Sequence, residues 1–166
     1  MGSGEFKNPD AEERCALLKR ARTIAVVGLS PNPARPSYGV SQAMQGFGYT
    51  IVPVHPLARE VLGAKAYPRL GDVPVTVDLV NVFRRAEFID EVVDECLAFG
   101  LKNLWIQEGI VNEPAATRAV MGGMMGTAAA VSSFLAALGM FFCGAVLWAL
   151  PGLLKEAQRA RFSSSP

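Results

Sequence analysis

The segment that most restricts the fold of this chain is a short apolar run followed by a glycine and a polar loop. Residues 24–27 read Ile-Ala-Val-Val, Gly28 follows at once, and helical sequence resumes near Ser37. Branched apolar residues favour a strand, and a strand that turns sharply into a helix is typical of nucleotide-type α/β domains. In such domains the first turn and the helix N-terminus meet phosphate. The segment therefore predicts an α/β fold with an anion site at this turn.

Strand and helix patterns alternate along the first 120 residues. The predicted strands cover residues 23–27, 50–54, 79–83 and 103–106, and the predicted helices cover residues 11–21, 37–46, 86–99 and 112–120. Each strand is an almost continuous apolar run, which is typical of a parallel sheet that helices cover on both faces. We therefore expect a Rossmann-like parallel sheet whose four carboxyl ends share one edge. In the second helix, helical spacing predicts one buried face made of Val40, Ala43, Met44 and Phe47.

The first loop departs from the usual dinucleotide fingerprint, which places three glycines in the pattern G-x-G-x-x-G. In sequence order the loop reads Gly28, Leu29, Ser30, Pro31, Asn32 and Pro33. Only the first glycine, which permits the tight turn, is present. The two prolines stiffen the loop and lack backbone N–H donors. The loop is therefore expected to bind an anion without being an ordinary NAD site.

Polar side chains around this loop are candidates for binding an anionic ligand. The hydroxyls of Ser30 and Ser37 and the guanidinium of Arg35 could bind a phosphate, together with amides at the start of the helix beside Tyr38. A plain surface loop with a capping serine would show the same residues. The position at the sheet edge favours the ligand interpretation.

The other three loops each follow a predicted strand with residues that could contact a ligand. They are His55 and Pro56 after the second strand, Arg84 and Arg85 after the third, and Ile106, Gln107 and Glu108 at the fourth. A dinucleotide domain places Asp or Glu where His55 stands, which argues against NAD. The arginines could face phosphates or form a solvated turn, and the fourth loop could simply lead into the next helix.

His55 could act as a general base, but a structural role or a place at the ligand's edge is favoured. No serine, cysteine or carboxylate can be paired with it from the sequence. The chain shows no catalytic motif and no metal-ligand spacing. The sequence therefore assigns no catalytic residue and no metal site.

Composition limits the classes of partner and compartment. The formal net charge of +1 on 166 residues provides no electrostatic argument for a nucleic-acid partner. The three cysteines, Cys15, Cys96 and Cys143, are widely spaced and odd in number, which favours a reducing, cytoplasmic compartment. The acidic N-terminal residues do not resemble a secretory signal.

Five segments, in this order and spacing, resemble the small CoA-binding proteins of bacteria and archaea. They are IAVVGLSPNPARPSYGV, YTIVPVHP, EVLGAKAYPRL, VDLVNVFRRAE and LWIQEGIVNEPAA. These proteins are similar to the CoA-binding domain of the succinyl-CoA synthetase α subunit and of the ADP-forming acyl-CoA synthetases. The resemblance covers about residues 15–120. It implies a Rossmann-like fold with coenzyme A as the cofactor.

The resemblance also implies places for the loops around that ligand. Residues 30–33 would lie against the nucleotide part of CoA, His55 and Pro56 beside the same ligand, and residues 106–108 nearer the pantetheine. The synthetases act through a phosphohistidine on a further domain. This chain is too short to contain that domain, and His55 is its only histidine. Ligase activity is therefore not expected.

The end of the chain does not match the family pattern. We therefore divide the chain into a CoA-binding domain at 1–120 and an apolar helical tail at 121–166. Residues 131–150 carry no charge and could span a membrane, with Trp148 near one end. The tail could instead be a buried helix or helix pair, packed in the domain or in a homo-oligomer. It could also be of non-ancestral origin, and the three interpretations stay open.

The expected function is the binding of CoA or an acyl-CoA at the carboxyl edge of the sheet, without catalysis. One alternative is an NAD(P)-dependent oxidoreductase, although the missing glycines and the absent acidic residue argue against it. The other is an interaction module that its tail docks to a membrane or a partner, with a vestigial pocket.

Overall fold

The computed structural model describes residues 9–107, 113–122 and 124. Within them, helices and strands alternate as the sequence predicts, with a small hairpin added. The helices are α1 (Ala11–Arg20), α2 (Pro36–Gly46), α3 (Ile89–Ala98) and α4 (Glu113–Met121). The strands are β1 (Thr23–Val27), β2 (Thr50–Val54), β3 (Glu60–Val61), β4 (Ala64–Lys65), β5 (Leu79–Val82) and β6 (Leu104–Ile106).

Four of the strands form a parallel sheet in the order β2-β1-β5-β6. Val27 of β1 lies opposite Val54 of β2 and Val82 of β5, and Val82 lies opposite Ile106 of β6. All four carboxyl ends therefore share one edge, as predicted. The remaining strands, β3 and β4, form an antiparallel hairpin that lies between β2 and β5 in the sequence.

Alternate residues of each strand point to opposite faces of the sheet, and each face carries its own core. On one face, Val27 and Val82 pack with α3 and α4 through residues such as Val93. On the other face, Ile24 packs with α1 and α2 through residues such as Met44. Helices therefore cover both faces, and the predicted Rossmann-like α/β fold is confirmed.

Helix α2 buries only part of the face that its apolar spacing predicts: Met44 is buried and Val40 is partly buried against the core. Ser37, Ser41 and Met44 are its buried residues, whereas Phe47, just beyond the helix, is 45% exposed. The inclusion of Phe47 in the buried face was wrong. Apolar periodicity misses small hydroxyl residues, which can also fill space between a helix and a sheet.

The connection after β5 is longer than predicted. The strand ends at Val82, so that Phe83 belongs to the loop. Residues Ala86–Phe88 form a short 3-10 turn, and α3 begins only at Ile89. The loop and turn therefore present both Arg84 and Phe88 at the carboxyl edge of the sheet.

The core reaches the last residue that the structure describes. Met124 is 4% exposed within the core beneath α3 and α4, and its N–H donates to Ala119 O at 3.0 Å. No helix among residues 9–107, 113–122 and 124 is long and apolar enough to cross a membrane. The span predicted at 131–150, and the interpretations of the tail that depend on it, lie outside the described residues.

Candidate functional site

The site is built around the turn at Gly28, where β1 ends. Gly28 has a φ of +83°, and its N–H donates to Val54 O at 2.9 Å. A Cβ at this position would lie 2.5 Å from Phe83 O, a distance that side chains do not tolerate. Glycine is therefore required both by the backbone angle and by the close approach of the loop after β5. The prediction that Gly28 permits the tight turn is confirmed.

The loop after Gly28 is braced by its own side chains. The Ser37 hydroxyl accepts a hydrogen bond from Ser30 N at 3.1 Å, and the Ser30 hydroxyl accepts one from Asn32 N at 3.1 Å. Asn32 Oδ1 in turn accepts from Ala34 N at 2.9 Å. These bonds preorganise the loop, which lowers the entropic cost of ordering it around a ligand.

The N-terminal end of helix α2 directly follows this loop. It begins at Pro36, which has no N–H, and the Arg35 side chain makes no capping hydrogen bond within the described part of the chain. The first turn of a helix carries partial positive charge, although the Tyr38 amide of α2 already donates to Arg35 O at 3.0 Å. An exposed arginine directly before it adds a full positive charge. This combination is suited to a phosphate group.

A groove of about 600 Å³ opens along the carboxyl edge beside β1 and β5. Seven residues that the sequence analysis predicted for the site line it: Gly28, Ser30, Arg35, Ser37, Arg84, Arg85 and Gln107. We call it the arginine groove, because three arginines line it and none of its described lining residues is acidic. Arg85 lies 3.8 Å from Glu87, but both side chains are largely exposed, so that this pair is weak. The groove therefore carries an excess of positive charge.

Gln107 enters the arginine groove from the end of β6 and is oriented by a buried partner. Its Nε2 donates to Asn81 Oδ1 at 2.6 Å, and Asn81 is fully buried inside β5. The sequence analysis missed Asn81, although a polar residue within an apolar strand signals a buried hydrogen-bonding role. The bond gives the Gln107 amide a defined direction at the groove.

Arg84 separates the arginine groove from a smaller cavity of about 210 Å³, and its side chain lines both. The guanidinium carbon lies 4.6 Å from the centre of the Phe88 ring, which is a cation–π contact. We call the second space the proline cavity, because Pro56 and Pro68 form part of its wall. Helix α3 adds the carboxylates of Glu91 and Glu95. Arg69 and Arg84 also line this cavity, and Glu95 Oε2 already accepts from Leu70 N at 3.3 Å, so that both signs of charge surround its apolar walls. The apolar residues and the Phe88 ring are suited to an aromatic base.

His55 is half-buried at the end of β2, outside the described lining of both cavities. Its Nδ1 accepts hydrogen bonds from Leu57 N at 3.2 Å and from Ala58 N at 3.1 Å. Its own backbone N–H donates to Tyr67 O at 2.9 Å. The imidazole therefore stabilises the turn that carries Pro56, which agrees with the structural role that the sequence favours over a general base.

The remaining predicted residues lie at the edge without lining the arginine groove. The side chains of Leu29 and Ile106 are buried in the two cores, so that only their backbone could reach a ligand. Tyr38 is partly buried against the core beneath α2. Pro31 and Asn32 are exposed on the loop, and Glu108 lies outside the described residues.

The structure also adds residues that no local pattern indicated. Pro36, Val40 and Phe83 complete the wall of the arginine groove. The carboxylates of the proline cavity come from α3, which lies far from Gly28 in the sequence and reaches it only through packing on the sheet. In the described part of the chain, no group of three or more potential metal ligands occurs.

Comparisons with known proteins match this chain to one family. The model of the CoA binding domain matches residues 22–129. The uncharacterized protein YneT of Bacillus subtilis is 46% identical over 110 residues, which cover 66% of this chain and 82% of YneT. A hypothetical protein from Pyrococcus horikoshii has a TM-score of 0.76 at 29% identity, covering 81% of this chain and 93% of that chain. The ADP-forming acetate–CoA ligase II of Archaeoglobus fulgidus is 32% identical over 83 residues, which cover 49% of this chain and 12% of the ligase. This chain therefore belongs to the CoA binding domain family.

Proposed function

We propose that this chain binds coenzyme A, or an acyl-CoA, at the carboxyl edge of its sheet, without catalysis of its own. The observation that carries the proposal is the arginine groove. Three arginines and the N-terminal end of α2 surround it, and none of its described lining residues is acidic. CoA carries a diphosphate and a 3′-phosphate, so that its charge is complementary to this groove.

The two cavities suit different parts of the ligand. The diphosphate would lie against Ser30, Arg35 and the positive end of α2, in a loop whose backbone amides are held by its own side chains. The adenine ring would occupy the proline cavity, whose apolar walls and carboxylates match the faces and the amino group of a purine. The pantetheine would follow the arginine groove towards Gln107. Arg84 would contact the ligand between the two cavities.

Binding is a better-supported function than ligation. The acetate–CoA ligase matches this chain over only 12% of its own length, so that the shared part is one domain of a much longer protein. An NAD(P)-dependent reaction is the rival. The position after β2 that would carry a ribose-binding carboxylate is His55, whose Nδ1 is engaged by its own turn.

Calorimetric titration with CoA tests the proposal, with NADPH as the competing ligand and Arg35→Ala as the site variant. Arg35 is exposed, so the variant should bind CoA about tenfold more weakly, as expected for a lost charged hydrogen bond, with an unchanged unfolding midpoint. Arg20→Ala is the matched control, because it removes the same charge from α1, outside both cavities. Tighter binding of NADPH than of CoA, or no heat and no thermal shift at millimolar CoA, would overturn the proposal.

A further inference from the structure

The hydrogen bonds of His55 depend on the charge of its imidazole. Nδ1 accepts from two backbone amides, Leu57 N at 3.2 Å and Ala58 N at 3.1 Å. A nitrogen that accepts must be unprotonated, so that the imidazole is neutral and carries its proton on Nε2. The imidazolium form has two donors and no acceptor. Protonation of His55 would therefore set an N–H against two other N–H groups and break both bonds.

The turn that these bonds hold belongs to the candidate site. Pro56 lies between His55 and the two bonded amides and forms part of the wall of the proline cavity, together with Gly28 and Arg84. The strand that leads into the turn is tied to the same place, because Val54 O accepts from Gly28 N at 2.9 Å. Release of the turn would therefore loosen one wall of the cavity without unfolding the sheet.

We propose that His55 is a positioning residue, whose neutral form fixes residues 56–58 at the proline cavity, so that ligand affinity falls when the imidazole is protonated. The inference rests on the proposed function, because the ligand in question is CoA. Imidazoles change charge between about pH 5 and pH 8. Both bonds require the neutral form, so that affinity falls when acidification protonates the imidazole.

Other charged or titratable groups lie around this turn, and they belong to several elements. They are Arg59 in the turn itself, Glu60 and Lys65 in the β3–β4 hairpin, Tyr67 and Arg69 after it, Arg84 after β5, and Glu91 and Glu95 on α3. Carboxylates, phenols, lysines and arginines ordinarily keep one charge state between about pH 5.5 and pH 8.

Two variants separate the positioning role from simple packing. His55→Asn supplies a neutral side-chain oxygen that can accept from amides two and three residues ahead, as in an Asx-turn, and it does not titrate. His55→Ala supplies no acceptor. The CoA affinity of all three chains is measured calorimetrically at about pH 8 and about pH 5.5. The phosphates of CoA also titrate in this range, but they do so equally for every variant.

We expect His55→Asn to bind like the parent chain at the higher pH, and the parent chain to lose about tenfold more affinity than His55→Asn at the lower pH. His55→Ala should be about tenfold weaker at the higher pH and respond to pH like His55→Asn. Equal pH responses of the parent chain and His55→Asn would overturn the inference, as would parent-like binding by His55→Ala at the higher pH.

A second readout does not depend on CoA. The amide resonances of Leu57 and Ala58 in ¹⁵N–¹H spectra should titrate together in the parent chain and stay constant in His55→Asn. Constant resonances in the parent chain would overturn the role of the imidazole in holding the turn. Failure of the parent chain to bind CoA at about pH 8 would overturn the proposed function and the claim about affinity together. A parent chain that binds CoA with the pH response of His55→Asn would overturn this inference alone.

Discussion

At the scale of single residues, the backbone of Gly28 shapes the site. Its φ of +83° turns the chain, and its missing Cβ lets Phe83 O approach. The same contact places Arg84 at the boundary of the two cavities, since the Arg84 Cδ atom would lie 3.1 Å from a Cβ at Gly28. A substitution here should affect folding and ligand binding together.

Replacement of Gly28 by alanine is expected to lower the free energy of unfolding by about 1–3 kcal/mol, because a side chain would be strained at this φ and would overlap with the Phe83 carbonyl. Gly39→Ala is the control, because no described atom lies within 4 Å of its Cβ position in α2. That variant should gain about 0.5–1 kcal/mol from helix propensity. Urea unfolding measures the free energy of unfolding of both variants. Equal values would show that position 28 tolerates a side chain.

At the scale of elements, one carboxylate links neighbouring strands at the amino edge of the sheet, which lies opposite the site. Asp78 Oδ2 accepts from Arg22 N at 2.8 Å and from Thr23 N at 2.9 Å, which ties the start of β1 to the start of β5. Asn103 Nδ2 donates to Asp78 O at 2.8 Å and adds the start of β6. These long-range bonds set how the strands are placed relative to one another, and they are remote from the ligand edge.

Asp78→Ala is expected to lower the free energy of unfolding by about 1.5–3 kcal/mol, because two backbone amides lose a charged acceptor. Asp78→Asn keeps one side-chain oxygen and should lose less. Chemical denaturation gives the stabilities, and calorimetry at a temperature where both variants are folded should give a CoA affinity equal to that of the parent chain. A weaker affinity in either folded variant would show that the two edges are coupled.

Helices α3 and α4 are joined at the surface by a weaker contact. Arg118 lies 2.7 Å from Asp90 Oδ1 and 3.4 Å from Asp94 Oδ1, with side chains about half exposed. Exposed pairs contribute at most about 1 kcal/mol and are screened by salt. Arg118→Ala should therefore cost less than Asp78→Ala, and its cost should shrink as sodium chloride is added. A cost that is independent of salt would point to packing by the arginine stem instead.

At the scale of the whole molecule, two groups make the fold sensitive to alkali. Burial, with a smaller contribution from the Glu95 carboxylate, raises the pKa of the Cys96 thiol to about 12. Burial also raises the pKa of Tyr49, against an opposing effect of Arg22. A group whose pKa is higher in the folded state stabilises the fold fully below its unfolded pKa. That stability is lost as the pH rises from about 8.5 towards the folded value.

Cys96→Ala should therefore show a shallower loss of stability with rising pH than the parent chain. The difference in slope should approach about 1.4 kcal/mol per pH unit, the value for one proton. At neutral pH the variant should be less stable, because Cys96 is fully buried and its removal leaves a space. Denaturant unfolding at several pH values measures the slopes, and parallel slopes would exclude Cys96 as the cause.

The position at which the folded domain ends is also a property of the whole molecule. The sequence placed the start of the apolar tail at residue 121, and we propose that only the part beyond residue 129 is separate from the CoA-binding domain. Met124 is buried in the core, and the family match ends at residue 129. A chain that ends at residue 129 should therefore unfold cooperatively and bind CoA like the full chain. A chain that ends at residue 120 should lose about 2–5 kcal/mol of stability with Met124.

Calorimetry and thermal unfolding of the two shortened chains measure these outcomes. The full chain in the same buffer, without detergent, is the reference. If the chain that ends at residue 129 fails to unfold cooperatively, later residues belong to the core and the proposed separation is wrong.

The elements that the sequence predicted best are those whose local pattern has one interpretation. Strands β1 and β2 were predicted to the residue, because each is a continuous run of mostly branched apolar residues bounded by turn formers. Helix α1, predicted over residues 11–21, is observed at Ala11–Arg20, where Asp10 and Glu13 form a capping box with both amide-to-carboxylate distances at 2.9 Å. In the buried stripe of α2, Met44 was predicted, whereas Ser37 and Ser41 were not, because they are small rather than apolar.

The sequence by itself determined the α/β class and the common edge of the strand ends, because apolar runs and turn residues act locally and parallel strands share one direction. It thereby grouped Ser30, Arg35, Arg84 and Gln107, which the structure brings to one groove. Only the tertiary structure decided the second cavity and the Asn81 partner of Gln107. Those features depend on distances between elements that no local pattern encodes, since they arise from how α3 and the strands pack against one another.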